Sequence, residues 1–85
     1  MKEFTYTIKD EFGIHARPAG LLVKAAAGYN CNVALECNGK VADAKKIFSV
    51  MSLGAKQGNV ITVRTEGIDE IDANLGLEDF FKNNL

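Results

Sequence analysis

The stretch Asn32-Val33-Ala34-Leu35-Glu36-Cys37-Asn38-Gly39-Lys40-Val41-Ala42-Asp43 decides the fold. Val33, Leu35 and Cys37 alternate with Ala34 and Glu36, the period-2 pattern of a strand with one buried face. Asn38-Gly39 then supplies the strongest short hairpin signal, because both central residues of a tight two-residue turn need positive φ. Lys40 to Asp43 follows as the partner strand.

Upstream of this hairpin, Pro18 followed by AGLLVKAAA reads as a helix, since proline fits a first helical turn where its missing N–H costs nothing. Gly28 and Asn30 end it, and Gly20 inside it suggests either a close approach by another group or simple tolerance. Downstream, Ala44 to Leu53 reads as a short helix closed by Gly54, with Ile47, Val50 and Met51 at i, i+3 and i+4. Phe48 falls off that stripe and is a candidate contact residue. Further out, Phe4, Tyr6 and Ile8 alternate as a first strand, and Gly58-Asn59 makes a turn into a strand holding Val60, Ile61 and Val63. Asp69 to Phe81 closes the chain as a helix, with Asp69, Glu70 and Asp72 at its positive end and Ile71, Leu75 and Phe81 roughly sharing a face. The order β-α-β-β-α-β-α predicts an α+β fold, a mostly antiparallel sheet covered by helices on one face.

At 85 residues, 47% hydrophobic and 25% charged, the chain is expected to form one domain over 1–85 and not to be intrinsically disordered. No run approaches the roughly 18 apolar residues that span a bilayer. The start MKEFTYTIKD alternates instead of forming an apolar leader, so a cytoplasmic setting without membrane insertion is expected. Cys31 and Cys37 fall on one strand, where six residues cover about 20 Å, far beyond the roughly 7 Å Cα limit for a disulfide. Both are read as reduced thiols. The net charge of −1 argues against a nucleic-acid partner, although the lysines and Phe48 are what such a binder would use. Residues 1–58 carry eight Lys/Arg against five Asp/Glu, and residues 59–85 carry two against six, so a basic face and an acidic end are expected.

The chemistry concentrates in Gly13-Ile14-His15-Ala16-Arg17-Pro18-Ala19, which holds the only histidine, the only proline and one of two arginines. His15 immediately precedes a helix whose first N–H groups lack internal acceptors and whose N-terminal end is partly positive. An anion on His15 is favoured there, with the backbone amides of Ala16 and Arg17 as free donors and Pro18 marking where the helix begins. Arg17 adds a planar permanent cation suited to phosphate. Neutral imidazole is a competent nucleophile, and no second histidine, carboxylate pair or phosphate-cradling glycine motif makes the chain a self-sufficient enzyme. One histidine and two cysteines six positions apart match no common zinc pattern, and nothing local brings a thiol to His15. Neither a metal nor a cofactor is expected.

GIHARPA, extended by VMSLGAKQG and by the matching length and element order, resembles the HPr family of the bacterial phosphoenolpyruvate:sugar phosphotransferase system, over essentially the whole chain. The resemblance implies a βαββαβα open-faced sandwich with a four-stranded antiparallel sheet and three helices on one face. It implies a phosphocarrier, not an enzyme: His15 accepts phosphate at Nδ1 from phosphorylated enzyme I and passes it to sugar-specific IIA domains. Arg17 and the Ala16 amide would stabilise the transferring group and Pro18 would shape the site. Gly20, Lys24, Lys45, Lys46, Ile47, Phe48 and Met51 would form the docking face of a monomer.

One position departs from the family pattern. Many Gram-positive relatives carry a regulatory serine after the lysine matching Lys45, whereas this chain reads Ala44-Lys45-Lys46-Ile47, so that serine switch is expected to be absent or altered. Ser49 and Ser52 are nearby hydroxyls expected to face solvent or to bond helix backbone. Gly20 and Phe48 also differ from residues common in relatives. A second reading stays open: a regulatory binding module of a paralogous, for example nitrogen-related, phosphotransfer chain.

Overall fold

The computed structural model describes all of residues 1–85. Seven elements follow in order: β1 Lys2–Thr7, α1 Ala16–Ala27, β2 Cys31–Cys37, β3 Lys40–Asp43, α2 Ile47–Ser52, β4 Val60–Gly67 and α3 Glu70–Asn84. The hairpin between β2 and β3 forms as its turn chemistry demands, with Asn38 at φ 52° and Gly39 at φ 80°. Pairing runs from Cys37 opposite Lys40 to Ala34 opposite Asp43.

The last strand in sequence sits inside the sheet. β4 pairs antiparallel with both β1 and β2, giving the order β1-β4-β2-β3. Its alternation buries Ile61, Val63 and Thr65, whereas Thr62 and Arg64 are half-buried on the opposite face. Across that face Arg64 bridges two strands, with Nε on Glu3 at 3.0 Å and Nη1 on Glu36 at 2.5 Å. The three helices cover the other face, which completes an open-faced βαββαβα sandwich. No helix is long and apolar enough to cross a membrane.

Between the layers, 21 buried hydrophobic residues form one cluster. Phe81 of α3 anchors it against β1, its ring edge-on to Phe4 at 5.8 Å and to Tyr6 at 5.6 Å. Such pairs add roughly 0.5–1.5 kcal/mol each beyond area burial.

Three local expectations are corrected. First, α3 buries Ala73, Leu77 and Phe81, whereas Ile71 and Leu75 are 58% and 62% exposed. Both sets fit a helical period, and the seat of Phe81 against Phe4 and Tyr6 selects the one that faces the sheet. Second, α2 buries only Val50, and Ile47 and Met51 lie at its surface with Phe48. A six-residue helix at the edge of the layer reaches the core with one side chain, and the flanking Ala44 and Leu53 do the rest of the burial. Third, no group of this chain approaches Gly20, where an added Cβ would meet nothing within 4 Å.

Candidate functional site

Helix α1 starts at Ala16, two residues before the proline that the sequence marks as its beginning. Pro18 therefore occupies the third helical position, where its ring is buried and its missing N–H removes one donor. The Ala19 N–H closes the first turn onto the His15 carbonyl at 3.0 Å. The amides of Ala16 and Arg17 are left without an acceptor at the positive end of a 12-residue helix. His15 is the N-cap residue, in extended conformation (φ −94°, ψ −177°), and its side chain makes no capping bond. The imidazole is thus free for other chemistry beside these two donors.

The turn before the helix fixes where that imidazole stands. Gly13 has φ +66°, and a Cβ there would collide with the Ala55 carbonyl. The same carbonyl accepts the Ile14 N–H at 3.1 Å, and the Ile14 side chain is buried in the core. Gly13 in turn donates to the Asp10 carbonyl at 3.0 Å, and its own carbonyl accepts the His15 N–H at 3.1 Å. A side chain at position 13 would push this turn off the loop that leads into β4.

Around the ring, Asp10 Oδ2 lies 3.5 Å from His15 Nε2. The Phe12 ring meets the imidazole edge-on at 5.7 Å and 74°. His15 and Arg17 line an open depression of about 330 Å³ with Asp10, Pro18, Leu21, Asn83 and Asn84. His15 and Arg17 thereby share one solvent-accessible space at the helix end where the Ala16 and Arg17 amides are free, a donor set that suits a phosphate.

Sequence reasoning missed Asp10, Phe12, Leu21, Asn83 and Asn84. Asp10 and Phe12 lie within five positions of His15, but only the Gly13 turn decides that their side chains meet its ring. Asn83 and Asn84 arrive from the far end of α3, and no local signal joins them to the site.

The expected docking residues form two groups. Gly20 and Lys24 are exposed on α1 beside Leu21, and Ile47, Phe48 and Met51 are exposed on the neighbouring α2, with Phe48 86% accessible. Lys46 is also exposed and stands as the N-cap residue of α2, with no side-chain cap. Lys45 is diverted: its Nζ donates to the Tyr29 carbonyl at 2.8 Å, just past the end of α1, so its charge is committed within the chain. The Ser49 hydroxyl accepts the Asp43 N–H at 2.9 Å, and the Ser52 hydroxyl donates to the Ser49 carbonyl at 2.7 Å, backbone roles that match their sequence reading.

Cys31 and Cys37 are buried free thiols on opposite ends of β2. Burial pushes both up from the ordinary thiol range, and Asp69 adds to the rise at Cys31. Neither has the lowered pKa of a reactive cysteine.

Residues 2–83 match the family model described as the PTS HPr component phosphorylation site. Solved structures agree in fold and sequence. HPr-C-His from Thermoanaerobacter tengcongensis is 42% identical with a TM-score of 0.93, over 99% of this chain and 94% of that one. The histidine-containing phosphocarrier protein of Mycoplasma is 32% identical with a TM-score of 0.94, over 96% and 93%. Phosphocarrier protein HPr from Bacillus anthracis is 32% identical with a TM-score of 0.85, over 99% and 96%. With a histidine poised at a free helix N-terminus and this agreement along the whole chain, the protein belongs to the HPr family, the histidine-phosphorylated phosphocarriers of the phosphoenolpyruvate-dependent phosphotransferase system, which carry a phosphoryl group between partners and are not themselves enzymes.

Proposed function

We propose that His15 Nδ1 receives the phosphoryl group from phosphorylated enzyme I and hands it to sugar-specific IIA domains, in the cytoplasm and as a monomer. One observation carries the reading: the only histidine of the chain caps α1, with the free amides of Ala16 and Arg17 and the Arg17 guanidinium beside it. In the transfer step the Nδ1 lone pair attacks phosphorus. The N–P bond forms as the bond from phosphorus to the donor's leaving atom breaks, and that electron pair stays with the donor. Negative charge on the transferring oxygens meets Arg17 and the two amides, which are oriented before the reaction and need no reorganisation during it.

The partners dock over His15 on the surface made by Gly20, Lys24, Lys46, Ile47, Phe48 and Met51. An apolar centre with a basic rim suits a shuttle, because it excludes water from the transfer while the charges speed encounter with acidic partners. A monomer keeps this surface free for each partner in turn.

Incubation with enzyme I and phosphoenolpyruvate, read by intact mass, tests the proposal. One phosphoryl group is expected on the wild type and none on His15→Ala, and addition of a IIA domain should discharge it. Labelling without onward transfer, with binding that depends on phosphate, would instead assign the chain to a regulatory role.

A further inference from the structure

We infer that Asp10 is a positioning residue of the transfer reaction: its carboxylate holds the Nε2 edge of the His15 ring, keeping Nδ1 as the attacking atom and the phosphorylated ring protonated and ready to discharge. The inference rests on the reading that His15 Nδ1 carries the phosphoryl group.

Asp10 is held from three directions. Its N–H donates to the Leu85 carbonyl at 2.9 Å and its carbonyl accepts the Gly13 N–H at 3.0 Å. Its Oδ1 accepts the Phe12 N–H at 2.8 Å, the local side-chain-to-backbone turn that aspartate favours. The one oxygen left over, Oδ2, is the atom 3.5 Å from His15 Nε2, and the Phe12 ring on the same turn packs edge-on against the imidazole. That separation is longer than a hydrogen bond and within the range of an ion pair, so the contact acts through charge. The other charged residue lining the depression is Arg17, from α1, and α3 contributes only the neutral Asn83 and Asn84. Asp10 is therefore the acidic group that faces the ring.

A neutral imidazole carries one proton, and a carboxylate only accepts, so Asp10 favours the tautomer with hydrogen on Nε2 and the lone pair on Nδ1. After Nδ1 has bonded to phosphorus the ring is a cation that still holds its Nε2 proton, with that positive edge toward Asp10. On discharge the acceptor attacks phosphorus, the N–P bond breaks and its electron pair returns to the ring, which leaves as neutral imidazole. A ring that had lost the Nε2 proton would have to leave as an imidazolate anion, a far poorer leaving group. Asp10 thus extends the pH range over which the carried phosphate is readily passed on.

Asp10→Asn keeps an oxygen for the Phe12 N–H and removes only the charge. Nitrogen-15 NMR of the phosphorylated protein should show the Nε2 protonation midpoint lowered by about 0.2–0.7 pH unit, the scale of an exposed charge pair. Above that midpoint, discharge to a IIA domain should slow about two- to five-fold. Asp10→Ser, which also retains a turn acceptor, is expected to give the same downshift. A midpoint equal to wild type in both variants, with phosphate on Nδ1, overturns the role of Asp10 and leaves the phosphocarrier reading intact. Phosphate on any other atom overturns both.

Discussion

Lys46 stands where the resemblance drawn from the sequence would place a regulatory serine. It caps α2 in extended conformation (φ −124°, ψ 117°), and the Val50 N–H bonds to its carbonyl at 3.0 Å. The N-terminal end of a helix favours negative charge, so a phosphoserine here would be stabilised, whereas an ammonium meets the unfavourable end of the dipole and cannot accept phosphate at all. The Ser49 hydroxyl accepts from the Asp43 backbone and the Ser52 hydroxyl donates to the Ser49 carbonyl, so both are engaged with backbone. Incubation with an HPr serine kinase and ATP is expected to leave these residues unmodified, and a phosphoserine found by mass mapping would refute this. Lys45 illustrates the same point from the other direction: its sequence neighbours suggest a docking charge, yet its Nζ reaches the Tyr29 carbonyl instead.

Among the elements, α2 is the one whose sequence and burial disagree most usefully. It spends its apolar side chains on the surface: Phe48 is 86% exposed, and only Val50 is buried. Removing a ring that touches little in the free protein costs little folding stability, about 0.5 kcal/mol or less. Phe48→Ala is therefore expected to keep its melting temperature and to slow phosphoryl transfer several-fold through weaker docking. An unchanged transfer rate would remove Phe48 from the docking surface. In α1 the two N-terminal amides are free because they begin the helix, Pro18 at the third position offers no donor of its own, and the Ala19 N–H closes the first turn.

For the whole molecule, the join between α3 and the sheet contributes to the response to acid. Asp69, just before α3, accepts the Asn30 N–H at 2.7 Å across the chain. That backbone bond, offset by some burial, holds its carboxyl below the usual carboxylate range. A group with a lowered folded pKa contributes stability that is present above the unfolded value, near pH 4, and that is lost as pH falls through the folded value. Asp69→Asn keeps an acceptor for Asn30 and abolishes the titration. Comparing melting temperatures at neutral and strongly acidic pH, the wild type should lose more than the variant over that interval. Equal losses would show that Asp69 is not part of the acid response. The thiols of Cys31 and Cys37 add nothing in this range, because burial moves both upward.

The elements and the chemistry of one site follow from local patterns in the chain. Alternation from Val33 to Cys37, the Asn38-Gly39 turn and a proline just inside a helix are encoded in a few neighbouring residues, because strand pleat, turn dihedrals and helix capping are short-range effects. The histidine before a helix N-terminus was legible for the same reason. Tertiary structure alone decided the seat of β4 between β1 and β2, the choice of Ala73, Leu77 and Phe81 over Ile71 and Leu75, and the meeting of Asp10, Asn83 and Asn84 around His15. A helical period offers several faces, and only the ring contacts of Phe81 with Phe4 and Tyr6 select one of them. Residues distant in the chain become neighbours when the packing of the helix layer brings the end of α3 beside the start of α1, a fact of packing that no local pattern contains.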